Sequence, residues 1–148
     1  MGLLTNEIRS IIEHQKLGYV ATVSPDNTPN LSPKGTLSVW DDEHLVFADI
    51  KSPKTMANLE KNSSIEINVV DPISRKGYRF KGTGIILSVG KDYDDIISYY
   101  AAIGIKSKIG RVVLVKVISV NDITSPLYDL GYTEDKIKKY WKNHYLSN

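Results

Sequence analysis

His44–Leu45–Val46–Phe47–Ala48–Asp49–Ile50–Lys51–Ser52–Pro53–Lys54–Thr55–Met56–Ala57–Asn58–Leu59 contains two elements and the joint between them. The apolar run His44–Ile50 has the length of a strand. Ser52 then provides an N-cap, and Pro53 suits the first helical position, where no N–H is needed. Met56, Ala57 and Leu59 give the helix its apolar contacts. A helix start points free N–H groups outward and carries roughly half a positive charge. With the Ser52 and Thr55 hydroxyls and the Lys54 ammonium in the same turn, the site suits a phosphate dianion. Alone, the segment reads equally well as a capped helix with a solvated lysine. Its position directly after the strand adds a rigid edge that can hold a planar ring beside the phosphate.

Working outward, the chain is rich in strands joined by turns. Leu4, Ile8, Ile11 and Ile12 share one face of a predicted helix, Thr5 to Gln15. Tyr19–Ser24 reads as a first strand and Pro25–Asp26–Asn27 as a turn. Asn30–Trp40 reads as a second strand bent at Pro33 and Gly35, with Asp41–Asp42–Glu43 as the hairpin into His44–Ile50. Beyond the Ser52 helix, Ile65, Ile67 and Val69 alternate with Glu66 and Asn68, the pattern of a half-buried strand. A long strand, Tyr78–Val89, is interrupted by Gly82 and Gly84, where a barrel wall can curve. Asp92–Ile103 is predicted helical, Arg111–Val120 is the last strong strand, and Thr133 caps a final helix to about Tyr145. Strands in runs, without strict strand–helix alternation, argue for a mainly β (α+β) single domain spanning 1–148. The expected architecture is a six-stranded antiparallel barrel with flanking helices, followed by a C-terminal loop and helix over 125–148.

Composition narrows the chemistry. The 148 residues are 41% hydrophobic and 24% charged, as in folded globular proteins. A formal charge of +2 gives no general attraction to nucleic acid or anionic lipid. Cysteine is absent, which excludes disulfides, thiolate nucleophiles and Cys-based metal sites. With no export signal and no long apolar run, the expected location is the cytoplasm, with no membrane partner. His14, His44 and His144 sit in different elements, so no metal site is expected. No G-x-S-x-G elbow occurs, and Gly82–Thr83–Gly84 is a fragment of a dinucleotide fingerprint lying inside a strand. Lys76–Gly77–Tyr78–Arg79–Phe80 begins like an RNA-recognition strand, but it breaks that motif at Arg79, Lys81 and Thr83 and lacks a partner strand. Lys136, Lys138, Lys139 and Lys142 lie opposite an aromatic stripe on the last helix, read as a solvated face over a packed one.

Leu17–Gly18–Tyr19–Val20–Ala21–Thr22–Val23, Pro29–Asn30–Leu31–Ser32–Pro33–Lys34–Gly35, Phe47–Ala48–Asp49 and Ser52–Pro53–Lys54–Thr55–Met56–Ala57–Asn58–Leu59 together resemble the pyridoxamine 5′-phosphate oxidase-like family of FMN-binding split barrels, across roughly residues 15–90. The resemblance implies a homodimer with FMN at its interface. It implies a phosphate held by Ser52, Lys54 and Thr55, and a flavin ring lined by Ser32, Pro33, Lys34, Ala48 and Asp49, with Arg79 also reaching the cofactor. It implies an oxidoreductase acting on a small organic substrate, with NAD(P)H as candidate donor. A non-catalytic flavin-binding or sensory module is the alternative, as is a relative that holds haem or a deazaflavin. Flavin chemistry needs no protein acid–base dyad, so no catalytic residue is assigned. Tyr128 and Trp141 are candidates for the substrate pocket, from the same or the partner subunit. Pro53 stands where true pyridoxamine 5′-phosphate oxidases carry arginine, and the C-terminal segment differs from theirs. The resemblance therefore extends to the cofactor site and not to vitamin B6 oxidation.

Overall fold

A computed structural model describes residues 2–147. Helix α1 (Asn6–Gln15) starts at Thr5, whose hydroxyl accepts from the Ile8 N–H, and ends at a left-handed Lys16. Strands β1 (Gly18–Val23), β2 (Pro29–Lys34), β3 (Ser38–Val39) and β4 (His44–Ala48) follow, then α2 (Pro53–Lys61), β5 (Ser64–Asp71) and β6 (Lys76–Leu87). Helix α3 (Lys91–Ala102), the long β7 (Val112–Thr124), a 3₁₀ turn at Pro126–Tyr128 and α4 (Glu134–Leu146) complete the chain.

All seven strands lie in one antiparallel sheet ordered β2-β1-β5-β6-β7-β4-β3. The two edge strands, β2 and β3, are consecutive in sequence and separated only by residues 35–37. So short a link forces the edges together, and the sheet curls into a split barrel. The predicted second strand, Asn30–Trp40, is therefore two strands, and the count is seven where the sequence predicts six. Its first half pairs with β1 and its second with β4, so no single ladder continues through Gly35. At the bulge between Lys81 and Gly82, β6 passes so close to β7 that a Cβ on Gly82 would run into the Lys116 carbonyl.

The barrel interior is filled by Val20, Leu45, Phe47, Ile67, Phe80, Val113 and Val115. It is plugged by Leu4, by Ile8 and Ile12 of α1 and by Met56 and Leu59 of α2. A second cluster packs Val46, Ala48 and Val112 against Ile96 and Tyr100 of α3. Strand β4 is thus covered on both faces, which accounts for its unbroken apolar run. The outer face of β2, β1, β5 and β6 carries no helix. Tyr19 (44% exposed) and Leu31 (68%) stand on it in the open.

Candidate functional site

The joint between β4 and α2 faces the end of β2. Lys34 is the last residue of β2 and lies at the split; its side chain turns inward and is 5% exposed. Its ammonium donates to Ser32 Oγ and Ser52 Oγ, each at 2.8 Å, and lies 6.0 Å from the centre of the Phe47 ring. Among the described residues no carboxylate forms an ion pair with it. Burial pushes the Lys34 ammonium below the ordinary lysine value, and the Asp49 charge partly opposes this. A buried cation held only by hydroxyls is electrostatically incomplete.

Helix α2 supplies the rest. The hydroxyl of Ser52, its N-cap residue, makes no capping bond because it accepts from Lys34 instead. The Met56 N–H reaches the Ser52 carbonyl at 3.0 Å, while the N–H groups of Lys54 and Thr55 have no acceptor among the described residues. Open N–H groups at a positive helix end, next to a buried ammonium, have the chemistry to hold an anion. Lys54 is exposed and Thr55 buried. Asn58 is buried and donates to Thr22 Oγ1 (3.0 Å) and Ser24 Oγ (3.4 Å), tying α2 to β1. The segment from Lys54 to Leu59 thus divides by role: an exposed lysine at the helix mouth, a clasp to the barrel wall, and a leucine in the core.

Backbone bonds fix the neighbouring strand end. The Ala48 N–H donates to Thr36 Oγ1 at 2.9 Å, and the Asp49 N–H to the Arg111 carbonyl at 2.8 Å. A cleft of about 410 Å³ opens beside Ser52, lined by Asp49, Lys51, Pro53, Met56, Glu60 and Arg111. The Arg111 guanidinium pairs with Glu60 at 2.7 Å. Arg111, unassigned by sequence reasoning, is a second cation at this cleft. Its place directly after Gly110 and before the apolar start of β7 is its only sequence signal.

The structure thus brings together Ser32, Lys34 and Ser52, with Lys54 and Thr55 in the same helical turn as Ser52 and Ala48 and Asp49 at the adjoining strand end. The side chains of four further candidates lie elsewhere in the same chain. Pro33 is exposed and points to the outer sheet face. Arg79 lies on that face too, opposite Asn68, with Nε 3.4 Å from both Asn68 Oδ1 and Glu66 Oε1. Along β6 the buried Phe80 points inward, so Arg79 and Lys81 point outward. Tyr128 and Trp141 lie at the far end of β7 from Val112. The Tyr128 hydroxyl donates to the Ser74 carbonyl, and Trp141 stacks on Arg75. Neither lines the Ser52 cleft of its own chain. No cluster of three His or acidic side chains suited to a metal ion occurs among the described residues. None of their helices is long and apolar enough to cross a membrane.

A family model for pyridoxamine 5′-phosphate oxidase matches residues 4–120. The chain belongs to that family. Among solved structures, HupZ from Group A Streptococcus superposes with a TM-score of 0.74 at 30% identity, over 82% of this chain and 94% of that one. An FMN-binding protein from Syntrophomonas wolfei superposes with a TM-score of 0.70 at 19% identity, over 82% of this chain and 87% of that one. No curated protein matches the sequence. Within the pyridoxamine 5′-phosphate oxidase family fold, the buried Lys34–Ser52 pair joins the end of β2 to the start of α2, and α4 falls outside the matched residues.

Proposed function

We propose that the protein is an FMN-binding oxidoreductase that works as a homodimer on a small organic substrate, with NAD(P)H as electron donor, in the cytoplasm. The observation that carries the reading is the buried Lys34 ammonium, which has hydroxyl partners only and stands beside two open N–H groups of α2. Such a set fits a phosphate, which would give the ammonium and the open N–H groups a shared acceptor. Lys34, Ser52 and the first turn of α2 hold the phosphate, and Lys54 adds charge at the rim. The backbone at Ala48 and Asp49 and at Ser32 and Pro33 lines the ring. When bound, the flavin supplies the hydride chemistry, and the protein binds and orients it.

The uncovered face of β2, β1, β5 and β6 supports the dimer. It presents Tyr19 and Leu31 beside a hollow of about 490 Å³ that also includes Glu66, Asn68 and Arg79. Because Arg79 points away from its own Lys34, it serves the cofactor only across the two-fold axis. Tyr128 and Trp141 likewise reach a substrate only from the partner's side.

Titration of the purified protein with FMN tests the reading by quenching of flavin fluorescence, with light scattering reporting the dimer. The expected result is one FMN per chain and bleaching of the flavin band on anaerobic addition of NADH or NADPH. A bound flavin that stays oxidised with both donors assigns the protein to the non-catalytic binders. No quenching at all refutes the cofactor.

A further inference from the structure

Among the described residues, the hydrogen bonds, ion pairs and cation–π contacts that helix α4 makes with the barrel converge at one place, the turn between β5 and β6. Ile137 is its single buried residue, and Tyr140 (64% exposed) and Leu146 (81%) face solvent. Among the described residues, the polar and cation–π contacts of the C-terminal segment with the barrel fall on residues 74–76. Trp141 stacks on the Arg75 guanidinium with Cζ 3.5 Å from the ring centre, and Arg75 Nη2 donates to the Tyr145 hydroxyl at 3.4 Å. Lys76 pairs with Glu134 at 3.4 Å, and the Tyr128 hydroxyl donates to the Ser74 carbonyl at 2.6 Å.

Three independent features of this contact work against its permanence. Arg75 has φ 58°, a left-handed position that glycine or asparagine takes at little cost and arginine does not. Its Nε is buried without an acceptor. So is Trp141 Nε1. Two desolvated N–H donors and a strained residue meet at one stack, and water would satisfy both donors if the helix lifted. A 13-residue helix with one buried side chain has little else to hold it. Its docking closes one wall of a groove of about 710 Å³, where Glu134 and Lys138 face Ser10, His14, Tyr78 and Asp122.

We propose that residues 125–147 form a latch, docked through the Arg75–Trp141 stack, that lifts off the barrel as a unit and opens the groove between α1 and α4. The barrel and the Lys34–Ser52 site stay intact when it lifts. The latch is a two-state element whose closed form is held by a small margin.

Hydrogen exchange of the full-length protein, read by mass spectrometry, tests this, with Trp141 emission followed in a Trp40→Phe background. Amides of α4 are expected to exchange at least a hundredfold faster than those of β6 and β7. Arg75→Gly relieves the turn and removes the guanidinium. It should speed exchange in α4 by a further tenfold or more, shift Trp141 emission to the red, and leave β6, β7 and FMN binding unchanged. Trp141→Leu, which leaves the turn untouched, should speed α4 exchange in the same way. The proposal fails if α4 is protected as well as β6 and β7, if neither variant accelerates it, or if its release carries barrel amides with it. A loss of FMN binding in Arg75→Gly that accompanies the faster α4 exchange would fault the site assignment and leave the latch standing.

Discussion

Replacing Lys34 by Met separates cofactor affinity from fold stability, because the two should move in opposite directions. In the free protein the change removes a desolvated cation and frees the Ser52 hydroxyl to cap the open N–H groups of α2. A cap contributes about 1 kcal/mol, so the variant should melt higher, by roughly 2–4 °C for a chain of this size. Toward FMN it loses a charge-assisted bond of about 1.5–3 kcal/mol, a loss of roughly ten- to hundredfold in affinity. Riboflavin, which lacks the phosphate, should bind both proteins alike. The pH dependence carries the same sign. Burial lowers the Lys34 value in the folded state below its unfolded one. The unfolded chain therefore binds more protons between the two values, and apoprotein stability contributed by this group rises as pH climbs from the folded value toward the ordinary lysine range. That alkaline rise should be missing in Lys34→Met. Calorimetric melting across pH, with fluorescence titrations of both flavins, makes the measurement. A variant that melts lower, or loses riboflavin as badly as FMN, refutes the assignment of Lys34 as an anion-binding cation.

Three other outcomes are expected. Lys54→Ala should weaken FMN by less than about fivefold, since exposed charges contribute about 0.2–1 kcal/mol; a larger loss than that of Lys34→Met in the same titration would invert the roles of the two lysines. Asn58→Ala strands the buried Thr22 and Ser24 hydroxyls and should cost about 1–3 kcal/mol in urea unfolding, whereas an unchanged midpoint would show that the clasp contributes nothing. Gly82→Ala drives a methyl group toward the Lys116 carbonyl and should cost about 1–3 kcal/mol by thermal melting, with no change in FMN affinity per folded molecule.

Local chemistry made the helix starts at Ser52 and Thr133 and the alternation in β5 readable from sequence, because Pro53 at the first helical position, the Thr133 cap and a period-2 pattern each act over a few residues. The break between β2 and β3 was not readable. Pro33 and Gly35 mark a bend within residues 30–40, but only the choice of partner, β1 for one half and β4 for the other, turns the bend into a break. The same closure explains Lys34. Sequence assigned it a backbone place beside a ring, while the structure turns its ammonium to Ser52, eighteen residues further on. The outward position of Arg79 was legible in principle from its place next to Phe80, since neighbours on a strand face opposite ways. The placing of Tyr128 and Trp141 at the β5–β6 turn was not, because nothing near them specifies the distant surface they meet.

The link across residues 35–37 also bears on the order in which the barrel is built. The β1–β2, β5–β6 and β6–β7 ladders join strands that follow one another in sequence, whereas Leu45 must find Val115 across nearly half of the chain. Pairings of such separation pay their loop entropy before any contact returns it, so they come late. Lys34 and Ser52 flank the strand that makes this last pairing, and they meet only once the seam has shut. A phosphate that bridges them therefore acts on the completed barrel and not on its precursors. Flavin added to refolding protein should be captured in step with seam closure, slow down its reopening, and leave the earlier hairpin stages at their own pace.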